Sequence, residues 1–118
     1  MSKVTICKRY HFSSSHFLPK VPPEHPCANL HGHNYVVEVE VQGPINEQGF
    51  VIDFHNLDLL VKPLIKTVDH RHLNLVAGLE NPSAEIIATW FLNNLDHASA
   101  ITIWETEKCW ARVSRYET

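Results

Sequence analysis

Between Val4 and His16, Val4, Ile6, Tyr10, Phe12, Ser14 and His16 all fall on even positions, a period of two that predicts a long strand with these residues on one face. From His31 to Val41 the odd positions His31, His33, Tyr35, Val37, Val39 and Val41 alternate with Asn34, Val36, Glu38 and Glu40, the pattern of a second, half-buried strand. Residues 17–30 hold Pro19, Pro22, Pro23 and Pro26, which block both helix and ladder and mark a loop. A connection of that length in a small domain is usually functional. Gly43-Pro44 ends the second strand, and Gly49 to Asp53 reads as a short return strand. Asp53 suits the N-cap of a helix carrying Phe54, Leu57, Leu60 or Val61, Leu64 and Val68 on one face, kinked or interrupted at Pro63. Asn81-Pro82-Ser83-Ala84-Glu85 is a second start signal, with Asn81 as cap and Pro82 first in a helix running to about Asn94. Ala100 to Glu105 and Cys109 to Arg115 alternate again across a short polar turn, as a β-hairpin does. Grouped strands in the order ββααββ, with the short return strand as an optional third, predict an α+β fold: a four-stranded antiparallel sheet with both helices on one face.

The 118 residues suit one domain, 1–118, and 44% hydrophobic against 19% charged residues supply a core without any compositional case for disorder. Ten Lys and Arg against 13 Asp and Glu give a net charge of −3, no electrostatic footprint for nucleic acid or an anionic membrane. The chain holds no apolar run of about 20 residues and no signal-peptide pattern, so a soluble, cytoplasmic protein is expected. Three scattered cysteines, Cys7, Cys27 and Cys109, read as reduced thiols. Nine histidines are the unusual count, and their placement carries the chemistry.

His31 and His33 flank Gly32 on one strand, so their side chains point to the same side. If the first two strands pair antiparallel across the Pro-rich loop, His16 lands beside them. Three imidazoles leaving a fourth position open is the donor set of a catalytic zinc, whereas structural zinc sites are closed by four protein ligands. Two surface histidines and an unrelated third is the plain alternative. A cupin-like iron site using Glu38 is the other, and parity opposes it, because Glu38 is even on a strand whose ligands are odd. Cys27, four residues before His31, could be packing, a fourth ligand or a reactive thiol that a nearby cation would favour as thiolate. Cys7 and Cys109 are expected as small core residues. Asp69-His70 is either a charge pattern at a helix end or a carboxylate fixing the tautomer of a proton-relaying imidazole. Glu105, ending an apolar strand, is either solvated or placed to accept paired hydrogen bonds from an amino-pyrimidinone ring.

Taken in order, Ser-Ser-Ser-His16, Cys27-x-x-x-His31-Gly-His33-Asn-Tyr, Ile-Asp53-Phe, Asp69-His70-x-x-Leu-Asn74, Asn81-Pro-Ser-x-Glu85 and Glu105-Thr resemble the 6-pyruvoyl-tetrahydropterin synthase / 6-carboxytetrahydropterin synthase family along nearly the whole chain. The resemblance implies a tunnelling fold, whose sheets join into a trimeric barrel and whose trimers stack as a homohexamer, removing exposed sheet edges. It implies one zinc per subunit on His16, His31 and His33, with Cys27 as proton acceptor and Asp69 and His70 as a relay reaching the site from a neighbouring subunit. It further implies Glu105 as the pterin anchor, Ser83 and Glu85 lining the pterin pocket, and 7,8-dihydroneopterin triphosphate as substrate, with no redox cofactor. The three residues between Cys27 and His31, with Leu18-Pro19 and Val21-Pro22, look like the bacterial queuosine-pathway enzymes. That similarity favours 6-carboxy-5,6,7,8-tetrahydropterin, acetaldehyde and triphosphate as products over 6-pyruvoyl-tetrahydropterin. Cys27 also disfavours the folate-pathway relatives, in which that position is typically acidic. Two positions depart from the family pattern: Ala84 replaces a Ser or Thr, and Trp104 stands where a Lys is frequent.

Overall fold

The computed structural model describes residues 2–115. Strand β1 (Val4–His16) and strand β2 (His31–Gly43) pair antiparallel over their whole length, from Val4 opposite Gly43 to His16 opposite His31. Helix α1 (Phe54–Val68) leads into a two-residue strand β3 (Arg71–His72), and helix α2 (Ala84–Asn93) precedes the hairpin of β4 (Ala100–Thr106) and β5 (Cys109–Ser114). The sheet runs β3-β1-β2-β4-β5, with β3 parallel to β1 and the other pairings antiparallel. It is therefore five-stranded and mixed, one strand more than the periodicity predicts, because two residues are too few to show alternation.

The parity of the strands sets the core. Tyr10 and Phe12 of β1, Tyr35, Val37, Val39 and Val41 of β2, and Ile101 and Ile103 of β4 are buried beneath the helices. Both helices cover this one face. Tyr10 donates to Asp58 Oδ1 of α1 at 2.6 Å, and Phe12 stacks on Tyr35 at 4.8 Å while meeting Phe91 of α2 at 5.9 Å. Removing a fully buried aromatic at that junction costs about 3–5 kcal/mol. Phe91→Ala is accordingly expected to lower the unfolding free energy by that order in urea titration, and a loss under about 1 kcal/mol would contradict this packing.

The opposite face is polar and paired. Glu38 accepts from Arg9 Nε at 2.8 Å and from Trp104 Nε1 at 2.7 Å, while Arg112 Nε reaches Glu40 at 2.9 Å. Burial pushes the Glu38 carboxyl up, but the hydrogen bonds from Trp104 and Arg9 outweigh it and hold the group below its ordinary range.

Four expectations are corrected. Residues 49–53 form no strand: Asn46 accepts through Oδ1 from Gln48 N and Phe50 N, and Gly49 takes φ 95°, so the segment turns about Asn46. Val51 and Ile52 pack against the core without a ladder partner. The interruption expected at Pro63 does not occur: helix α1 runs through it, at the cost of the backbone donor toward Leu59 on an exposed turn. The cap of α2 is Ser83, whose hydroxyl accepts from Ile86 N, so Pro82 lies outside the helix and keeps its carbonyl for another partner. Cys7 and Cys109 are exposed: Cys7 occupies the solvent parity of β1, whereas Cys109 shares the parity of Ala111 and Val113 and is exposed as the first residue of β5, beside a register shift in β4. All three cysteines are free thiols, as expected.

Candidate metal centre and substrate cavity

The register that puts His16 across from His31 brings three imidazoles together, with one ring nitrogen of each of His16, His31 and His33 within 4.8 Å of the others. Gly32 allows the close strand pairing here, since a Cβ at that position would stand 3.3 Å from the Ser14 carbonyl oxygen.

The hydrogen bonds at the far side of each ring decide what the near side can do. His16 Nδ1 lies 2.8 Å from the Pro82 carbonyl and His31 Nδ1 lies 2.7 Å from the Asn29 carbonyl. A carbonyl only accepts, so both Nδ1 atoms carry the proton and both neutral rings present a bare Nε2. Those two bare Nε2 atoms face each other at 3.0 Å, and His33 Nε2 is buried without a hydrogen-bond partner among the described residues. Converging lone pairs repel unless a cation sits among them. Ligand nitrogens ~2.0–2.1 Å from a tetrahedral zinc lie roughly 3.3–3.4 Å apart, close to the 3.0 Å between His16 and His31 Nε2, with the His33 ring nitrogen within 4.8 Å of both. The donor set thus fits a metal ion, with backbone carbonyls as the outer shell that fixes the tautomers. Among the described residues this group comprises the three histidines alone. The fourth-ligand reading of Cys27 finds no support there, and Glu38 is engaged on the opposite face.

Burial holds His16 and His33 below the ordinary imidazole range, an effect that outweighs the nearby Glu105 carboxylate. A lowered pKa keeps the ligating, neutral form at lower pH. Metal affinity is therefore expected to persist below the free-imidazole value of ~6.5 before protons compete, a result that chelator competition across pH 5–8 would reveal. Loss of half the affinity above pH ~6.5 would contradict it.

The remaining expected site residues fall in three places. Glu105, with its side chain 27% exposed, sets its carboxylate 3.9 Å from His33 Nε2 and 4.0 Å from His16 Nε2. Together with Ser83, Glu85, Leu18 and Trp110 it lines a cavity of about 240 Å³, so the three expected pterin contacts share one space beside the histidines. Cys27 is half-buried in a short 3-10 turn, Pro26–Ala28, capped by the His25 ring, and its carbonyl accepts from Leu18 N at 2.8 Å. Asp69 accepts from Ser13 N at 2.9 Å and lies 3.0 Å from His70 Nδ1, fixing that ring as a pair with its carboxylate. Hydrogen bonding of Ser13 N comes first among the causes that hold the Asp69 carboxyl below its usual range. His70 takes φ 55° and donates its own N–H to Ser13 O at 2.7 Å, a left-handed conformation locked by the end of β1. Its side chain is 83% exposed and has no hydrogen bond to the triad among the described residues, although His70 and His33 line one open groove of about 610 Å³.

Periodicity missed the supporting shell. Tyr35, next on the ligand parity of β2, sets its hydroxyl 3.2 Å from His16 Nδ1 and was legible as a same-face neighbour. The carbonyls of Asn29 and Pro82 have no sequence signal. Of the two departures, Ala84 lines the cavity with Glu105. Trp104 instead bonds Glu38 and meets Trp110 on the polar face of the sheet.

A sheet carrying three convergent histidines that could hold a metal ion at one end, with a small cavity beside them and both helices on one face, defines an α+β protein of the tunnelling-fold type. The family model for 6-pyruvoyl tetrahydropterin synthase matches residues 5–116, and the chain belongs to that family. Among its relatives, 6-carboxy-5,6,7,8-tetrahydropterin synthase of Synechocystis sp. is 37% identical over 99 residues, covering 79% of this chain and 75% of the relative. The 6-pyruvoyl tetrahydrobiopterin synthase of Dictyostelium discoideum is 32% identical over 122 residues, covering 88% and 90%. The solved structure of Caenorhabditis elegans 6-pyruvoyl tetrahydropterin synthase superposes with a TM-score of 0.89 at 28% identity, covering 97% of this chain and 96% of that one. No helix among the described residues is long and apolar enough to cross a membrane.

Proposed function

We propose that this chain is a zinc-dependent 6-carboxy-5,6,7,8-tetrahydropterin synthase, converting 7,8-dihydroneopterin triphosphate and water to the carboxypterin, acetaldehyde and triphosphate. The observation that carries the reading is the triad of bare imidazole nitrogens opening beside a carboxylate-floored cavity. Bound at His16, His31 and His33, a zinc ion would act as a Lewis acid toward the hydroxyls of the substrate side chain and make the adjacent hydrogens more acidic.

On this reading each residue has a task. Glu105 accepts two hydrogen bonds from the amino-pyrimidinone edge, with Ser83 and Glu85 framing the ring. Cys27 takes a proton from a side-chain carbon as thiolate. His70, oriented by Asp69, returns a proton as triphosphate leaves. The ring is reduced as the side chain is oxidised, so no external oxidant or reductant enters.

Exposure of His70 fits delivery of the relay to a neighbouring subunit's site, as do the open outer edge of β5 and the exposed Trp110 and Leu75. The assembly we infer is a homohexamer of stacked trimers in the cytoplasm, built from a single domain spanning 1–118. The second reading, 6-pyruvoyl-tetrahydropterin formation, is favoured by the Dictyostelium relative and uses the same residues. Mass analysis of the product made from 7,8-dihydroneopterin triphosphate separates the two: acetaldehyde with a carboxypterin supports the first, and a pyruvoyl product without acetaldehyde supports the second. Absence of triphosphate release would overturn both.

A further inference from the structure

We infer that Asn74 is the positioning residue of the metal centre, a single side-chain amide that braces the ligand strand against the carbonyl that sets the His16 tautomer. This rests on the zinc reading above.

Asn74 sits in a 3-10 turn, Leu73–Leu75, between a buried and an exposed leucine. Its Oδ1 accepts from Phe17 N at 3.1 Å and its Nδ2 donates to Phe17 O at 2.9 Å, so both backbone groups of the residue after His16 are held. The same Nδ2 lies 3.3 Å from Glu80 O. Two residues beyond Glu80 stands Pro82, whose carbonyl takes the His16 Nδ1 proton. One residue beyond Phe17, Leu18 N donates to the Cys27 carbonyl. The amide therefore joins the end of β1 that carries a ligand to the segment that fixes the ligand's tautomer, and the Leu18–Cys27 bond continues from the same stretch to the turn that carries the thiol.

The chemistry of the amide matters as much as its shape. Phe17 O and Glu80 O are acceptors and require a donor, whereas Phe17 N requires an acceptor; only an amide of this length supplies both. Partners that hold a ligand ring typically change metal affinity by about 10–100-fold when removed, and Asn74 acts on one of them, the Pro82 carbonyl, through the segment it anchors at Glu80. Asn74→Asp keeps the acceptor and turns the donor into an oxygen facing two carbonyls, while Asn74→Ala removes both.

The test measures zinc affinity by chelator competition on metal-free wild type and both variants, with circular dichroism and metal-free melting recorded alongside. A residue with a merely structural role would lower the melting temperature and leave the affinity of the folded protein unchanged. The expected result is a folded variant that binds zinc roughly 10–100-fold more weakly, with nitrogen-15 shifts of His16 moving away from a pure Nδ1–H form. A folded variant with wild-type affinity overturns the inference. Should neither variant fold, metal-free wild type decides it: slow exchange of the Asn74 side-chain amide protons and an Nδ1–H form of His16 support the brace, and rapid exchange overturns it. A wild type that takes up no zinc is a separate outcome that removes the metal reading and this inference with it.

Discussion

Alanine at His33 is expected to abolish stoichiometric metal binding while leaving the fold intact. His33 Nε2 is buried with no hydrogen-bond partner among the described residues, so in the metal-free chain it contributes no bond whose loss could unfold the protein. Its ring is partly exposed, at 17%, unlike that of His16 at 1%. Truncation there removes a ligand without opening a deep cavity, whereas His16→Ala would also disconnect Pro82 and Tyr35. With two of three imidazoles left, the variant is expected to drop from one zinc per chain to none after dialysis against a weak chelator, and turnover to fall by at least ~10³ as Lewis-acid activation is lost. Metal analysis with circular dichroism reads this directly. A folded His33→Ala chain retaining one tightly held equivalent would show that the ion sits elsewhere.

The second large effect separates metal from proton transfer. Cys27→Ala is expected to bind zinc as the wild type does, because the thiol is outside the group of converging ring nitrogens. Its turnover should nonetheless fall by about 10²–10⁴, the usual contribution of a positioned acid–base group. The backbone of Cys27, which holds Leu18, survives the change, so the loss would reflect the sulfur itself. Normal turnover in this variant would remove Cys27 from the mechanism. Loss of zinc together with turnover would instead make it a ligand.

Most of the site was legible because strands have a rigid period. Odd parity put His31, His33 and Tyr35 on one face, even parity put Phe12, Ser14 and His16 there, and Glu38 was correctly sent to the other side. Asp69 next to His70 and Asn81 to Glu85 were visible as local patterns, though the cap moved from Asn81 to Ser83. Where local signals compete, the sequence misleads. Val51 and Ile52 resemble a strand in any short window, yet Asn46 Oδ1 accepts from the amides of both Gln48 and Phe50 and turns the segment before a ladder can form. Residue type points Cys7 and Cys109 to the core, yet odd parity on β1 already puts Cys7 outside, whereas Cys109 has the parity of Ala111 and Val113 and is exposed only as the first residue of β5.

The faces of the strands, the family motifs and the donor set follow from amino-acid order alone, because alternation and residue chemistry need no knowledge of distant chain. Which lone pairs are bare depends on how distant segments pack. Pro82 is 66 positions from His16 and Asn74 is 57 from Phe17, and carbonyls and amides become partners only when packing of α2 and the turn after β3 brings them to the end of β1. A tautomer is set by what faces each ring nitrogen, and that is a property of the assembled fold.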